Sequence, residues 1–219
     1  MNRRRLARHV SILLGGLVAS FAIARLFPDA STLQRASLAT AYVALLLLAL
    51  TLVLGPLKVI RRQPNPVSTY LRRDLGIWAA LFGLAHTVLG LQVHLGGRFW
   101  FYFVPQPRMD QWLPVRYDLF GLTNHVGLVA TVVLLVLLAI SSNRALRRLG
   151  VARWKSLQRF SYLIAVLVVA HGLVYQVLEK RHWAYIGMLV VLAALVIFVQ
   201  LVGRKRFKDG RAPGRASGS

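Results

Sequence analysis

The chain has 219 residues, of which 57% are hydrophobic, and its mean hydropathy of +0.57 excludes an ordinary soluble domain. Its net charge is +22, and it contains no cysteine, which excludes disulfides and thiolate metal ligands. This combination indicates a polytopic membrane protein whose basic residues have to be explained by their positions.

Six apolar stretches, each close to the roughly 20 residues that cross a bilayer, predict transmembrane helices at residues 10–27, 36–57, 75–95, 119–140, 157–178 and 183–202. The first stretch follows an arginine-rich start and contains Ala22-Ile23-Ala24, a pattern that also fits a signal peptide and its cleavage site. We expect a retained first helix, because small residues at this spacing are common by chance in alanine-rich helices. Gly55-Pro56 is expected to end or kink the second helix.

The segments between these stretches are predicted to be loops. Residues 58–73 and 143–155 are basic, and the first segment contains Pro64 and Pro66. Residues 96–117 hold the aromatic run Phe99-Trp100-Phe101-Tyr102-Phe103 and also Trp112, a density typical of an interfacial belt beside membrane helices. The tail after residue 203 is basic and then rich in glycine, alanine and serine, so we expect it to be disordered.

The basic residues follow the positive-inside rule. With the N-terminus in the cytoplasm, 21 of the 28 Lys and Arg residues fall on the inner side and 7 on the outer side. The sequence therefore predicts an all-α membrane protein, a six-transmembrane-helix bundle with both termini cytoplasmic, and the charge is not a nucleic-acid signal. The expected parts are a basic segment with the first helix (1–35), a transmembrane core (36–203) and a tail (204–219).

Two histidines lie inside the predicted helices at similar depths. His86 shares a helix face with Gly83 and Gly90, and His171 is followed by Gly172. Both lie roughly 10–14 Å from the outer ends of their helices. Two imidazoles from facing helices can coordinate one iron axially, as in membrane b-type hemes, and without cysteine such a heme is held non-covalently. The alternative is that each histidine is packed and bonded to a backbone carbonyl; the matched depths and the glycines favour the ligand interpretation.

The other four histidines are weaker candidates. His125 lies roughly 10 Å below the outer surface. It is a candidate cofactor ligand or part of a proton or quinone site, and a polar helix start satisfied by Asn124 or water is the alternative. His94 and His182 fall at outer helix ends and are expected at the interface, whereas His9 is expected on the inner surface.

Cations near both ends of the predicted helices are candidate partners for anions. On the outer side, four could pair with heme propionates, because carboxylates require positive charge nearby: Arg98, Arg116, Lys180 and Arg181. Surface anchoring is the alternative for each of them. On the inner side, Arg72 and Arg73 are expected to meet lipid headgroups or an anionic partner.

Several motifs resemble the ferric reductase-like transmembrane domain family. They are Arg72-Arg73-x-Leu75-Gly76 leading to Leu84-Ala85-His86, then Arg147-Arg148-Leu149-Gly150, Trp154-Lys155-x-Leu157-Gln158-Arg159-Phe160-x-Tyr162 and His171-Gly172-x-x-Tyr175. The resemblance covers residues 38–202. It implies a bundle that carries electrons across the membrane, with a b-type heme between the third and fifth helices. By this resemblance His86 and His171 match the axial-ligand positions.

Members of the family with two hemes have a further histidine at the position taken here by Gln158, and the corresponding third-helix position is Arg72. We therefore expect one heme b, which leaves a gap between the heme and the cytoplasmic face. The candidates for a second carrier are a quinone, FMN on the inner loops, or a further heme bound with His125.

The resulting prediction is an electron-transfer subunit of an oxidoreductase in the bacterial cytoplasmic (inner) membrane. It takes electrons from a cytoplasmic flavin reductase or quinol and passes them to a periplasmic reductase, such as one acting on sulfoxides, or to ferric iron. The alternative is a cofactor-free transporter or assembly subunit in which the buried histidines relay protons or pack. The sequence does not show the inverted repeats and broken helices that are typical of transporters.

Overall fold

The computed structural model describes residues 3–62, 70–107 and 112–209, and these residues form α-helices and short 3-10 turns but no β-strand. The helices are α1 Arg3–Ala24, α2 Thr32–Ile60, α3 Tyr70–Val93, α4 Leu119–Ala139, α5 Asn143–Gln158, α6 Phe160–Leu178 and α7 Trp183–Asp209. Two 3-10 turns, Leu95–Gly97 and Phe99–Tyr102, follow α3.

Six segments of the described residues are long and apolar enough to cross a membrane: α1, α2, α3, α4, α6 together with the preceding α5, and α7. This confirms the prediction of an all-α membrane protein with six spans. The predicted helix limits were too narrow at the charged ends. α3 begins at Tyr70 and α7 continues to Asp209, because charged residues next to an apolar stretch lower its hydropathy but still form helix.

Some predicted features lie outside the described residues. These are the prolines at 64 and 66, the outer cation at 108 and the part of the predicted tail from residue 210 onward. The remaining tail residues, 204–209, form the last turns of α7.

The prediction of a basic loop at residues 143–155 is wrong, because these residues form α5. Ser142 caps the helix by accepting a hydrogen bond from the Ala145 N–H. The basic side chains of α5 are exposed, whereas Trp154 is buried and donates to the Ile140 carbonyl at 2.9 Å. Gly150, at φ 73°, interrupts the helix. The charges therefore lie on the outside of a helix that packs against the end of α4.

The helix ends form two distinct groups. At one end, called here the basic end, Arg5 of α1 contacts Asp74 in the first turns of α3. At the other end, called here the aromatic end, Gln34 at the start of α2 contacts Glu179 just after α6. The basic end also holds α5 and the end of α7. That the basic end faces the cytoplasm stays a prediction.

The contact between α2 and α7 compensates for a proline. Pro56 lacks an N–H, so the Leu52 carbonyl loses its helical donor. Gln200 of α7 supplies that donor, with its Nε2 2.7 Å from the Leu52 oxygen. α7 comes this close because of Gly203, where a Cβ would lie 2.6 Å from Cβ of Pro56. The helix therefore does not end at Pro56, as the sequence suggested it could, but continues to Ile60.

A buried carboxylate joins α1 to α3. Asp74 is fully buried, and its oxygens lie 3.1 Å from Arg5 Nη2 and 2.8 Å from Arg8 Nε. His9 Nε2 lies 3.5 Å from the same carboxylate, and its Nδ1 accepts a hydrogen bond from Trp78 Nε1 at 3.1 Å. The expectation that His9 lies on the surface is wrong, because its ring is held between α1 and α3. That the first helix is retained stays a prediction.

Candidate functional site

A cavity of about 750 Å³ lies between α2, α3, α4 and α6. Its lining extends from Gln34, His94 and Arg181 at the aromatic end to Arg73 and Gln158 at the basic end. The volume falls within the roughly 300–1,000 Å³ that is usual for ligand and cofactor sites. Its walls are mainly apolar, which suits a large hydrophobic ligand.

His86 of α3 and His171 of α6 come together in this cavity. Their ring centres are 6.4 Å apart, and their planes are inclined by 76°. Nδ1 of His86 lies 2.9 Å from the Ser37 carbonyl oxygen, and Nδ1 of His171 lies 2.9 Å from the Thr123 carbonyl oxygen. Because a carbonyl oxygen only accepts, Nδ1 carries the hydrogen in both rings and Nε2 is the basic nitrogen. Each ring therefore carries its lone pair on Nε2, the atom that can bind a ligand in the cavity.

Helix α4 fixes the ring of His171. A Cβ on Gly127 would lie 2.8 Å from Cε1 and 2.9 Å from Nδ1 of this histidine, so only glycine leaves room for the ring. The ring of Tyr175 packs against His171 with 4.9 Å between centres, and its hydroxyl donates to Asn124 Oδ1 at 2.9 Å. The imidazole is therefore held by Thr123, Gly127 and Tyr175 before any ligand binds.

The glycines that the sequence analysis placed beside the histidines lie at the cavity. Gly83, Gly90 and Gly172 all line it. A Cβ on Gly90 would lie 3.4 Å from Ser37 Oγ and 3.7 Å from His86 Cε1. The absence of a side chain here lets Ser37 reach the His86 ring, where its Oγ lies 3.1 Å from Nδ1.

The structure does not bring His125 to this pair. Its Nδ1 lies 2.7 Å from the Gly121 carbonyl oxygen of its own helix, and its ring packs edge-on against Phe103. None of its contacts among the described residues reaches His86 or His171, and it does not line the cavity. A role for His125 as a further ligand stays a prediction.

An ion-pair cluster at the aromatic end of the cavity was missed by the sequence analysis. His94 Nε2 lies 3.0 Å from Glu179 Oε1, while Gln34 Nε2 and Arg181 Nη2 lie 3.3 and 3.6 Å from Oε2. His94 was expected at the interface, but it is half-buried and lines the cavity. The chain has only six acidic residues. Glu179 at the end of a predicted helix was therefore the signal that could have indicated a basic partner.

Aromatic rings continue from His171 toward the aromatic end. Ring centres are 4.9 Å apart between His171 and Tyr175, 5.9 Å between Tyr175 and Phe120, and 5.4 Å between Phe120 and Tyr102. Tyr102 is 1% exposed, and its hydroxyl accepts a hydrogen bond from the His94 N–H. Burial raises the pKa of Tyr102, so this phenol stays neutral at physiological pH.

Of the four outer cations predicted as propionate partners, only Arg181 lines the cavity. Arg116 instead forms a two-point salt bridge with Asp118, at 2.7 and 2.8 Å, and donates to the Phe101 carbonyl at 2.9 Å. The Arg116 guanidinium holds the pKa of Asp118 below its usual value. Asp118 in turn caps α4 by accepting from the Gly121 N–H. Arg116 therefore fixes the aromatic loop to α4.

The histidine pair suits an ion that has further ligands of its own. Among the described residues, no three His, Cys, Asp or Glu side chains come together to hold a bare metal ion, whereas a protein zinc site takes three or four protein ligands. A metal–imidazole bond is about 2 Å, so two imidazoles on opposite sides of one ion have ring centres roughly 6 Å apart. The separation of 6.4 Å fits this arrangement.

The model of the ferric reductase like transmembrane component family matches residues 40–169, which is more than half of the chain. The chain belongs to this family. The matched region runs from α2 into α6 and supplies most of the cavity wall. It contains His86 and His125 and ends two residues before His171.

This ferric reductase-like chain is also similar to two bacterial reductase subunits. These are the protein-methionine-sulfoxide reductase heme-binding subunits MsrQ of Yersinia pseudotuberculosis serotype O:1b (strain IP 31758) and Yersinia pestis (strain Pestoides F). Each is 29% identical over 165 residues, which cover 74% of this chain and 71% and 70% of the two relatives. The six spans and these similarities confirm an integral protein of the bacterial inner membrane.

In this ferric reductase-like bundle the cavity continues well past the histidine pair. Gln158 and Arg72, the positions that the resemblance assigns to ligands of a second heme, both line it at the basic end. Along α6 and the residues before it, Gln158 lies roughly 20 Å from His171 at 1.5 Å per residue. The basic end is therefore a separate part of the cavity with a different set of side chains.

Proposed function

We propose that this protein is a membrane electron-transfer subunit that binds one b-type heme between His86 and His171. The observation that carries the proposal is the pair itself, in which two imidazoles share one cavity and each is oriented through Nδ1 by a backbone carbonyl. The similar Yersinia proteins, which are heme-binding subunits of a reductase, support it.

The residues around the pair would hold the heme and adjust its properties. His86 and His171 would supply the axial nitrogens, and a bound heme supplies a one-electron carrier. The carbonyls of Ser37 and Thr123 orient the imidazoles and raise their basicity, as hydrogen-bond partners of metal-bound histidines do. The apolar walls exclude water, which affects the reduction potential. Arg181, which lines the cavity beside Glu179, would be the outer cation that meets a propionate.

The aromatic end is the exit in this proposal. Tyr175 packs against His171, and Phe120 and His94 pack against Tyr175 with 5.9 and 6.5 Å between ring centres. These rings form a continuous set of contacts from the histidine pair to His94 at the aromatic end. The half-buried His94–Glu179 pair closes this end and keeps a charged, hydrogen-bonded surface toward an acceptor.

The direction of transfer follows from the predicted orientation. Because the predicted topology puts 21 of the 28 basic residues on one side, we place the basic end in the cytoplasm. Electrons then enter from a cytoplasmic flavin reductase or quinol and leave to a periplasmic acceptor. The names of the Yersinia relatives favour a reductase of oxidised methionine in proteins over ferric iron as that acceptor.

The test is a dithionite-reduced minus air-oxidised spectrum with pyridine hemochrome quantitation. We expect a b-type spectrum and one heme per chain in the wild-type protein, and loss of heme in His86→Ala and His171→Ala. His182→Ala is the matched control, because His182 is exposed. His125→Ala should retain heme as well. Full heme content in both axial variants, or none in wild-type protein from heme-supplemented cells, would overturn the proposal.

A further inference from the structure

Buried hydrogen-bond donors without partners are concentrated at the basic end of the cavity. Arg73 and Ser161 are 9% and 8% exposed. Arg73 Nε and Nη2, Gln158 Nε2 and Ser161 Oγ have no hydrogen-bond partner among the described residues, and all three side chains line the cavity. Buried donors are nearly always paired in folded proteins. These atoms therefore indicate a ligand that brings acceptor oxygens.

The unpartnered atoms of Arg73 have the geometry for an oxyanion. Its Nη1 donates to Asn143 Oδ1 at 2.7 Å, which fixes the guanidinium. Nε and Nη2, which remain, form one edge of the guanidinium and can donate in parallel to two oxygens of the same anion. The approach of donors from three helices, α3, α5 and α6, suits a tetrahedral phosphate better than a planar carboxylate.

The charge at this end also favours an anion. Arg72, Lys155 and Arg159 line the cavity together with Arg73. The neighbouring carboxylate of Asp74 does not line the cavity, because it is held on the α1 side by two arginines at 3.1 and 2.8 Å. Four cations therefore line the basic end of the cavity. Among the described residues, no carboxylate lines this end.

Small residues leave room next to these donors. Gly76, Ala79 and Ala80 line the cavity between the basic end and the histidine pair. A Cβ on Gly76 would be in ordinary contact with Thr51, at 3.7 Å, so the backbone of α3 is not crowded here. The non-phosphate part of an amphipathic ligand can lie along this wall.

We propose that Arg73, Gln158 and Ser161 bind the phosphate group of an amphipathic ligand whose remaining part extends into the cavity toward the histidine pair. Arg73 contacts two phosphate oxygens, Gln158 and Ser161 donate to the others, and Arg72, Lys155 and Arg159 balance the charge. The phosphate belongs to a membrane phospholipid. The site requires no heme and goes beyond the electron-transfer proposal.

The experiment measures total phosphorus per chain after purification in a sugar-based detergent and phosphate-free buffer. Wild-type protein is compared with the double variant Gln158→Leu/Ser161→Ala and with Arg153→Gln. Arg153 is an exposed cation of α5 that does not line the cavity, so its replacement controls for surface charge. Mass spectrometry of the extract then distinguishes a glycerophospholipid from a water-soluble phosphate ester.

We expect one retained phosphorus per chain in the wild type and in Arg153→Gln. The double variant should retain at least about tenfold less, because a hydrogen bond to a charged group contributes roughly a factor of ten in affinity. Equal phosphorus in all three proteins, or none in the wild type, would overturn the proposal. A glycerophospholipid that the double variant loses supports the proposal, and a water-soluble phosphate ester in its place would overturn it.

Two further measurements distinguish loss of the phosphate site from loss of heme and from misfolding. Heme content of the same samples reports on the histidine pair, so loss of phosphorus with unchanged heme isolates the basic end. If the double variant does not fold, Arg73→Lys replaces it, since lysine keeps the charge but cannot make the two-point contact. We expect Arg73→Lys to lower the retained phosphorus, and full retention would count against the site.

Discussion

Replacing Gly127 with alanine tests the position of His171 without removing a histidine. The added Cβ would lie 2.8 Å from Cε1 and 2.9 Å from Nδ1 of His171. Ordinary contacts between such atoms are about 3.5–4.0 Å, so the ring or α4 has to move by roughly 0.7–1 Å. A shift of this size is enough to break the 2.9 Å hydrogen bond from His171 Nδ1 to the Thr123 carbonyl.

Two effects should follow from Gly127→Ala. Overpacking typically costs about 1–3 kcal/mol of the free energy of unfolding. Loss of the supporting hydrogen bond should weaken heme binding by about 10–100-fold, the usual effect of removing a partner of a metal-bound histidine. The control is Gly187→Ala on α7, where a Cβ would have no neighbour within 4 Å. That variant should keep its heme and gain up to about 1 kcal/mol of helix stability.

The assay is heme per chain by pyridine hemochrome, together with the reduced spectrum and the melting temperature in detergent. We expect Gly127→Ala to be folded, partly or fully depleted of heme and shifted in its spectrum. Heme content and spectrum equal to those of Gly187→Ala would refute the reasoning. That result would mean that the His171 ring, confined against Gly127, is not the group that holds the heme.

Three further predictions concern stability, each measured as the melting temperature in detergent. Asp74→Asn should lower the free energy of unfolding by about 3 kcal/mol, because it leaves two partly buried arginines without their counter-charge. Wild-type protein should be more stable than Asp118→Asn above pH ~4, and this advantage should disappear as the pH falls through the Asp118 pKa that Arg116 holds low. Gln200→Leu should cost about 1–3 kcal/mol, because the carbonyl freed by Pro56 loses its donor.

Matched variants distinguish these effects from general damage. Asp29→Asn changes an exposed carboxylate and should leave the melting temperature unchanged; an equal lack of effect for Asp74→Asn would contradict the buried ion pair. A difference between wild type and Asp118→Asn that grows as the pH falls would contradict the direction of the pKa shift. Gln92→Leu removes a similar bond from an exposed side chain and should be nearly neutral; costs equal to those of Gln200→Leu would contradict the role assigned to the proline.

The six spans could be predicted from the sequence because lipid leaves few choices: an apolar stretch of sufficient length must be a helix with its backbone paired internally. The first and last residues of the helices were predicted less accurately, because charged residues at a helix end lower the hydropathy without breaking the helix. α5 is the clearest case. Its basic residues resembled a loop, but Ser142 caps it and Trp154 anchors it to α4.

The candidate pair could be found from local patterns, because depth and glycine spacing are both readable along one helix. Depth and glycine spacing were enough to select His86 and His171 as candidates. The partners of His9 and His94 could not be found in this way, since Asp74 and Glu179 are distant in sequence and meet them only after the helices pack. In a chain with so few carboxylates, the assumption that each acidic residue has a buried basic partner would have helped to predict the contacts of His9 and His94.

The buried carboxylate of Asp74 has a consequence for biogenesis. α3 has the lowest hydropathy of the six candidate spans, and Arg72, Arg73 and Asp74 follow its first two residues. Synthesis proceeds from the N-terminus, so α1 reaches the bilayer before α3 does. We therefore expect Arg5 and Arg8 to be at the membrane before Asp74 arrives and to pair with its carboxylate, as they do in the folded protein, which lowers the cost of inserting that charge. We therefore expect the first helix to assist the insertion of the span that carries His86.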